Sequence, residues 1–258
     1  MSHSGEGVGD PQPLTKQEIL CFKNSLADSI RDQHWYTILT AATASAHAGA
    51  EAVPLIYEIA SEDFKGRQGD EVDREVVRIQ RRIKESLLKG SVLFGIPAAL
   101  DSVFSLLPLL RNDARSNPNR SDSGFFQRKG QTIDSVTERG MDQLGVIYRH
   151  NLTSILEEKM GSEMEDLKCL TLNINYGWIL SENSVLDLPS TELVILSALV
   201  PQNVRSEILW HLRGCRRVGW NDREIESVRS TCLSVAKRLA CRTNKVPSLD
   251  QVSEDSNE

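Results

Sequence analysis

The chain has 258 residues, 40% of them apolar and 26% charged, enough for one sizeable core or two fused smaller ones without staples. Its formal charge is -6, and basic residues cluster only briefly, at Arg78-Arg81-Arg82 and Arg213-Arg216-Arg217. That excludes the broad basic face a nucleic-acid partner needs. No stretch approaches the roughly 20 apolar residues of a membrane span, so no membrane partner is expected.

The five cysteines fall at positions 21, 169, 215, 232 and 241, which is neither a zinc spacing nor a redox pair. They read as reduced thiols that behave as small hydrophobes. The N-terminal stretch has neither a basic region nor an apolar run, and Ser256-Asn257-Glu258 is not a peroxisomal tripeptide. The expectation is a soluble cytoplasmic protein. Residues 1–13 and 243–258 are polar and aperiodic and read as disordered tails. Asn112 to Gly124 has only Ala114 as an apolar side chain, which predicts a linker over 112–130. An N-terminal helical unit (14–111) and a C-terminal one (131–242) remain.

Thr15-x-x-Glu18 is a capping box with Leu14 before it, and Ile19, Phe22, Leu26 and Ile30 continue at helical spacing. His34 to Ala46 and Glu51 to Ile59 are small-residue-rich helices. Asp70 to Lys89 is amphipathic, with Val72, Val76, Ile79, Ile83 and Leu87 on one face. Gly90 to Gly95 is expected to break it, and Pro97 suits the first turn of the next helix, which runs to about Leu110. Ile133 to Met160, Met164 to Leu180, Ser190 to Leu199 and Val204 to Val218 follow as helices. Asn221-x-x-Glu224 opens a last one that runs to about Cys241. No segment alternates as a strand.

Trp35 to Ile59 resembles Glu192 to Leu212 in its order of apolar helix, polar corner and apolar helix, and Arg74-Glu75 and Arg223-Glu224 follow in turn. A duplicated helical unit and a chance likeness between Ala/Leu-rich helices fit this equally well.

Chemistry concentrates between Ser206 and Glu226. Glu207 and His211 stand one helical turn apart, so a carboxylate can hold one imidazole nitrogen and leave the other to move a proton. The same spacing also occurs on ordinary solvated helix faces. Arg213 does not share the direction of His211 on an ideal helix. His47 lies in an Ala-rich run and reads as a core residue. No phosphate loop, nucleophile elbow or metal-spaced set is present in the sequence.

His211-Leu-Arg-Gly-Cys-Arg-Arg-Val-Gly-Trp-Asn-Asp-Arg-Glu-Ile resembles the H-x-R-G-A-x-x-x-G-x-(S/T)-x-E-E-I signature of the carboxymuconolactone decarboxylase-like (alkylhydroperoxidase D-like) family. Tyr176-Gly177-Trp178-Ile-Leu-Ser181, Leu186-Asp187-Leu188 and Glu192-Leu193 resemble its upstream run. Arg139-Gly140 resembles an earlier R-G, and Gly95-Ile-Pro97-Ala-Ala-Leu100 a helix start in the longer members. The likeness covers roughly residues 70 to 240. It departs at Thr191, where the family prefers Arg, and at Glu182-Asn183-Ser184, where it has R-P-G.

The resemblance implies an all-α, alkylhydroperoxidase D-like helical array, with two pseudo-repeated units, assembled as a homo-oligomer. It implies a cofactor-free, metal-free decarboxylase or acid/base lyase acting on a small carboxylated organic acid. His211 would be the proton donor, Glu207 its orienting partner and Arg213 a catalytic cation, with Arg205, Glu192 and Trp210 binding substrate. A non-catalytic scaffold or binding protein of the same family is the alternative. The peroxidase branch uses C-x-x-C-x-x-x-H, and those cysteine positions are Val204 and Glu207 here, so that thiol chemistry is not expected.

Overall fold

The computed structural model describes residues 11–113 and 128–253, and every regular element among them is helical. Helix α1 (Lys16–Ser25) opens on the expected capping box: the Thr15 hydroxyl accepts from the Glu18 N–H at 3.3 Å, and the Glu18 carboxylate accepts from the Thr15 N–H at 2.8 Å. Leu26 and Ala27 are extended, so the first helix ends before Ile30 and α2 (Asp28–Ser45) begins ahead of the expected His34. Leu26 and Ile30 are both buried; their spacing reported a shared destination, not an unbroken helix.

Helices α3 (Gly49–Ala60), α4 (Asp70–Phe94) and α5 (Ile96–Asn112) follow. The α4–α5 break falls at Gly95, at φ 89°, while Gly90 continues α4. The Phe94 ring lies over Gly90, so that a Cβ there would come within 2.4 Å of it and the ring would have to move. Helix α6 (Ile133–Tyr148) ends at Arg149, at φ 50°. Two short α-helical turns, Asn151–Thr153 and Glu165–Cys169, then run into π-helical segments, Ser154–Lys159 and Leu170–Leu180. Helices α7 (Leu188–Gln202), α8 (Arg205–Arg217) and α9 (Asp222–Arg238) complete the array. No helix among the described residues is long and apolar enough to cross a membrane.

Helix α7 is the axis. It is buried without interruption from Ser190 to Pro201 and packs on α2, α4, α8 and α9. Its sequence explains this: Leu193 to Leu196 and Ala198 to Val200 put apolar atoms on every side, so it has no face to give to water. Helix α2 is buried from His34 to Ser45, and small residues bring the two together, with Ala41 beside Val194 and Ala198. The internal likeness falls on α2–α3 and on α7–α8.

Two buried cations brace the approach to α7. Lys89, on α4, is completely buried and donates to the carbonyls of Leu180, Glu182 and Leu186 at 2.9, 2.7 and 3.0 Å and to the Thr191 hydroxyl at 2.6 Å. The position where the resembled family prefers Arg therefore meets a cation from another helix. Arg128 pairs with Glu85 and donates to the carbonyls of Trp178 and Ile179 at 3.1 Å each.

Of the expected tails, residues 1–10 and 254–258 lie outside the described residues, as do residues 114–127 of the expected linker. Residues 243–253 pack instead of trailing. Val246, Leu249 and Val252 lie against the core, and the Val252 carbonyl accepts from Arg216 at 3.1 Å. Three apolar residues among polar ones carry no period, yet they suffice to dock a short strap. Residues 12 and 13 are likewise held through their carbonyls by Arg238.

Candidate active site

His211 lies in the middle of α8, 2% exposed, and lines a cleft of about 500 Å³ between α6, α8 and the two π-helical segments. Val92, Leu93, Leu144, Leu156, Leu180 and Ile195 make most of its wall apolar. The two π-helical segments form one side of it. Such segments widen a helix by one residue per turn and often occur at functional sites.

The ring is oriented by α7. Nδ1 of His211 lies 2.9 Å from Oε2 of Glu192, which is completely buried. A carboxylate oxygen only accepts, so Nδ1 carries the hydrogen and Nε2 is left for the cleft. Gly214 makes room for this contact: a Cβ at that position would sit 2.4 Å from Oε2 of Glu192 and 3.1 Å from Ile147.

Nε2 lies 3.4 Å from the Tyr148 hydroxyl on α6, and that hydroxyl lies 3.2 Å from the Tyr176 hydroxyl. Tyr176 reaches α6 because Gly140 and Gly177 allow backbone to meet backbone. A Cβ on Gly140 would come within 2.8 Å of the Gly177 nitrogen, and one on Gly177 within 2.9 Å of the Val136 carbonyl oxygen. Arg139 secures the crossing by donating to the Ser181 hydroxyl at 2.8 Å and to the Gly177 carbonyl at 2.9 Å. The R-G and Y-G pairs singled out in the sequence thus meet each other.

Burial works against a charge on His211, but the Glu192 carboxylate, by charge and hydrogen bond, and Glu207 beyond it hold the imidazole above its ordinary pKa. Burial raises both tyrosines, so they stay protonated donors. Burial also pushes the Cys215 thiol well up, and that residue is completely inside the core. A protonated, enclosed thiol is a poor nucleophile.

The residues expected from the sequence separate into two groups. His211, Trp210 and Glu207 line the cleft together. Glu207 is exposed and is not the partner of Nδ1; Glu192, expected to bind substrate, takes that role and does not line the cleft. A buried carboxylate from a neighbouring helix prevails over one solvated by water on the same helix. Arg213 is buried behind the site, with its guanidinium 5.1 Å from the Trp210 ring centre. Arg205 is exposed and donates to Gln251 at 3.1 Å. Neither arginine lines the cleft. Among the described residues the lysine or arginine that does is Lys159, whose Nζ lies 5.5 Å from the Trp210 ring centre.

Tyr148, Tyr176 and Lys159 were missed. Tyr176 stood inside the Y-G run, but a role for it depended on α6, and no local spacing marks the other two. Among the described residues no group of three or more His, Cys, Asp and Glu side chains is placed to hold a metal ion.

No protein-family model and no solved structure matches the chain. Peroxisomal protein 2 of Schizosaccharomyces pombe is similar to it, 29% identical over 159 residues that make up 62% of this chain and 70% of that protein. Peroxisomal protein 2 of Saccharomyces cerevisiae is 24% identical over 178 residues, 62% of either chain, so this match spans less than two thirds of that relative. The relatives overturn the expectation of a cytoplasmic protein, since both carry a peroxisomal name. Composition and end residues bear only on the signals they contain, and an address read by a receptor leaves no mark on the fold.

Proposed function

We propose that the chain is a cofactor-free acid/base catalyst of the carboxymuconolactone decarboxylase-like type, acting in the peroxisome on a small organic acid with an apolar body. The observation that carries this reading is His211: one nitrogen is fixed by a buried carboxylate at 2.9 Å and the other is turned toward a cleft of about 500 Å³. Lys159, at the exposed side of the cleft, replaces the two arginines as anchor for a substrate carboxylate. In a decarboxylation the substrate carries a carbonyl β to its carboxylate; the bond to the carboxylate carbon breaks and carbon dioxide leaves, the electron pair passes into that carbonyl as an enolate, and the protonated His211 gives its proton to the product and ends neutral. The relatives' names support the compartment, and the sequence resemblance supports the reaction type.

The apolar lining also favours a second reading, a binding protein that shelters the same kind of molecule without turning it over. One comparison separates the two. Purified peroxisomes carrying the intact protein and peroxisomes carrying His211→Ala are profiled for small organic acids. A catalyst leaves its substrate accumulated in the variant by about a hundredfold loss of turnover, the usual scale for a proton-transfer group. An unchanged profile, with both proteins present in that fraction, leaves only the binding role.

A further inference from the structure

Three buried polar atoms, His211 Nε2, Tyr148 Oη and Tyr176 Oη, form a row at the cleft, with spacings of 3.4 and 3.2 Å. All three residues line the cleft, most of whose wall is apolar. Each contact is long for an O–H donor, as catalytic hydrogen bonds often are before a substrate tightens them.

The row has a direction, and the protonation of His211 sets it. Glu192 holds Nδ1 as a donor in either state. With the ring neutral, Nε2 only accepts; Tyr148 then donates to it, Tyr176 donates to Tyr148, and the Tyr176 oxygen offers the cleft lone pairs. With the ring charged, Nε2–H donates to Tyr148, Tyr148 donates to Tyr176, and the Tyr176 hydrogen is released toward the cleft. The same three groups thus present an acceptor or a donor according to one proton.

We propose that Tyr148 and Tyr176 are a relay that carries the proton of His211 to a substrate carbonyl oxygen, with Tyr176 the group that touches that oxygen. The substrate class is therefore a carbonyl compound with an apolar body, its oxygen at Tyr176 and its carboxylate, where present, toward Lys159. The transfer balances. Nε2 gives its proton to the Tyr148 oxygen as Tyr148 gives its own to Tyr176 and Tyr176 gives its own to the substrate oxygen; the imidazole ends neutral and the oxygen protonated. This inference rests on the acid/base reading of the same cleft.

The groups facing His211 are Glu192 from α7, Tyr148 from α6 with Tyr176 of the second π-helical segment beyond it, and Glu207 from its own helix. Lys159 of the first π-helical segment shares the cleft. His211 is the group whose proton sets the direction of the row, and its pKa lies above the ordinary histidine value, so the pH dependence of binding a carbonyl reads the relay.

The test uses the full chain and two probes of matched shape, 2-acetonaphthone, which has one carbonyl acceptor, and 2-ethylnaphthalene, which has none. The ketone is expected to bind the wild-type protein about fivefold to tenfold more tightly at pH below the His211 titration, with the advantage fading above it. Tyr176→Phe removes the advantage at every pH while the hydrocarbon binds as before, which also shows that the cleft is intact. Tyr148→Phe keeps the advantage and loses its pH dependence. An advantage that survives Tyr176→Phe, or a pH dependence that survives Tyr148→Phe, overturns the relay and leaves the acid/base reading standing. Wild-type protein that binds neither probe removes both.

Discussion

At the scale of single residues the site turns on which carboxylate holds His211. Helical spacing names Glu207, and the fold selects Glu192, because the buried acid has no water competing for it and Gly214 clears its approach. A measurable consequence follows from the opposing effects on the imidazole. Glu192→Gln removes the larger favourable charge and leaves burial dominant, so the pKa of His211 should fall below the ordinary histidine value. Glu207→Gln should lower it much less. NMR titration of the His211 ring in the two variants measures the difference, and an equal effect from both would return Glu207 to the role the sequence assigned it. The helix that brings His211 and Trp210 to the cleft was legible in the sequence; the partner of the ring was not, since nineteen positions separate the two and only packing closes that distance.

At the scale of elements the lesson concerns glycines and helix ends. Caps were readable because they are local: Thr15, Asn221 and the Pro97 first turn each sit where the sequence put them. The π-helical segments were not, because a widened turn has no composition of its own and is kept by what it packs against. Gly140 and Gly177 show that dependence. Gly140→Ala should cost about 1–3 kcal/mol, since the new Cβ meets backbone atoms that have no rotamer to escape into. Because the same crossing positions Tyr176 beside Tyr148, the variant should also lose activity beyond what its stability predicts. Urea unfolding together with turnover at low temperature separates the two effects; a variant as stable and as active as wild type would show that the helices can part without consequence.

At the scale of the whole molecule, α2 and α7 carry the core, and one polar residue of α2 finds its partner on α4. His34, on α2, is 8% exposed and its Nδ1 lies 3.0 Å from a guanidinium nitrogen of Arg82. Arginine only donates, so Nδ1 accepts and the ring is neutral. Burial, with Arg82 adding to it, lowers its pKa to about 4 from 6.5. The unfolded chain therefore binds more protons between those values, and the stability present above pH 6.5 is lost as pH falls toward 4, by up to about 3 kcal/mol. Chemical denaturation of wild type and His34→Gln at pH 7 and pH 4 checks this: the variant should lose less across that interval, and parallel losses would place the sensitive group elsewhere.

Local rules act within a turn or two of the chain, and so the sequence by itself determined the all-helical class, most helix limits, the capping boxes and the segment in which His211 lies. Tertiary structure decided whatever depends on which atoms become neighbours once water is excluded: Glu192 rather than Glu207 at Nδ1 of His211, Lys159 rather than Arg205 or Arg213 at the cleft, the row of tyrosines, and Lys89 of α4 against the start of α7. Those choices are made by burial, where an unpaired charge or polar group costs up to several kcal/mol and a partner from elsewhere in the fold is therefore favoured.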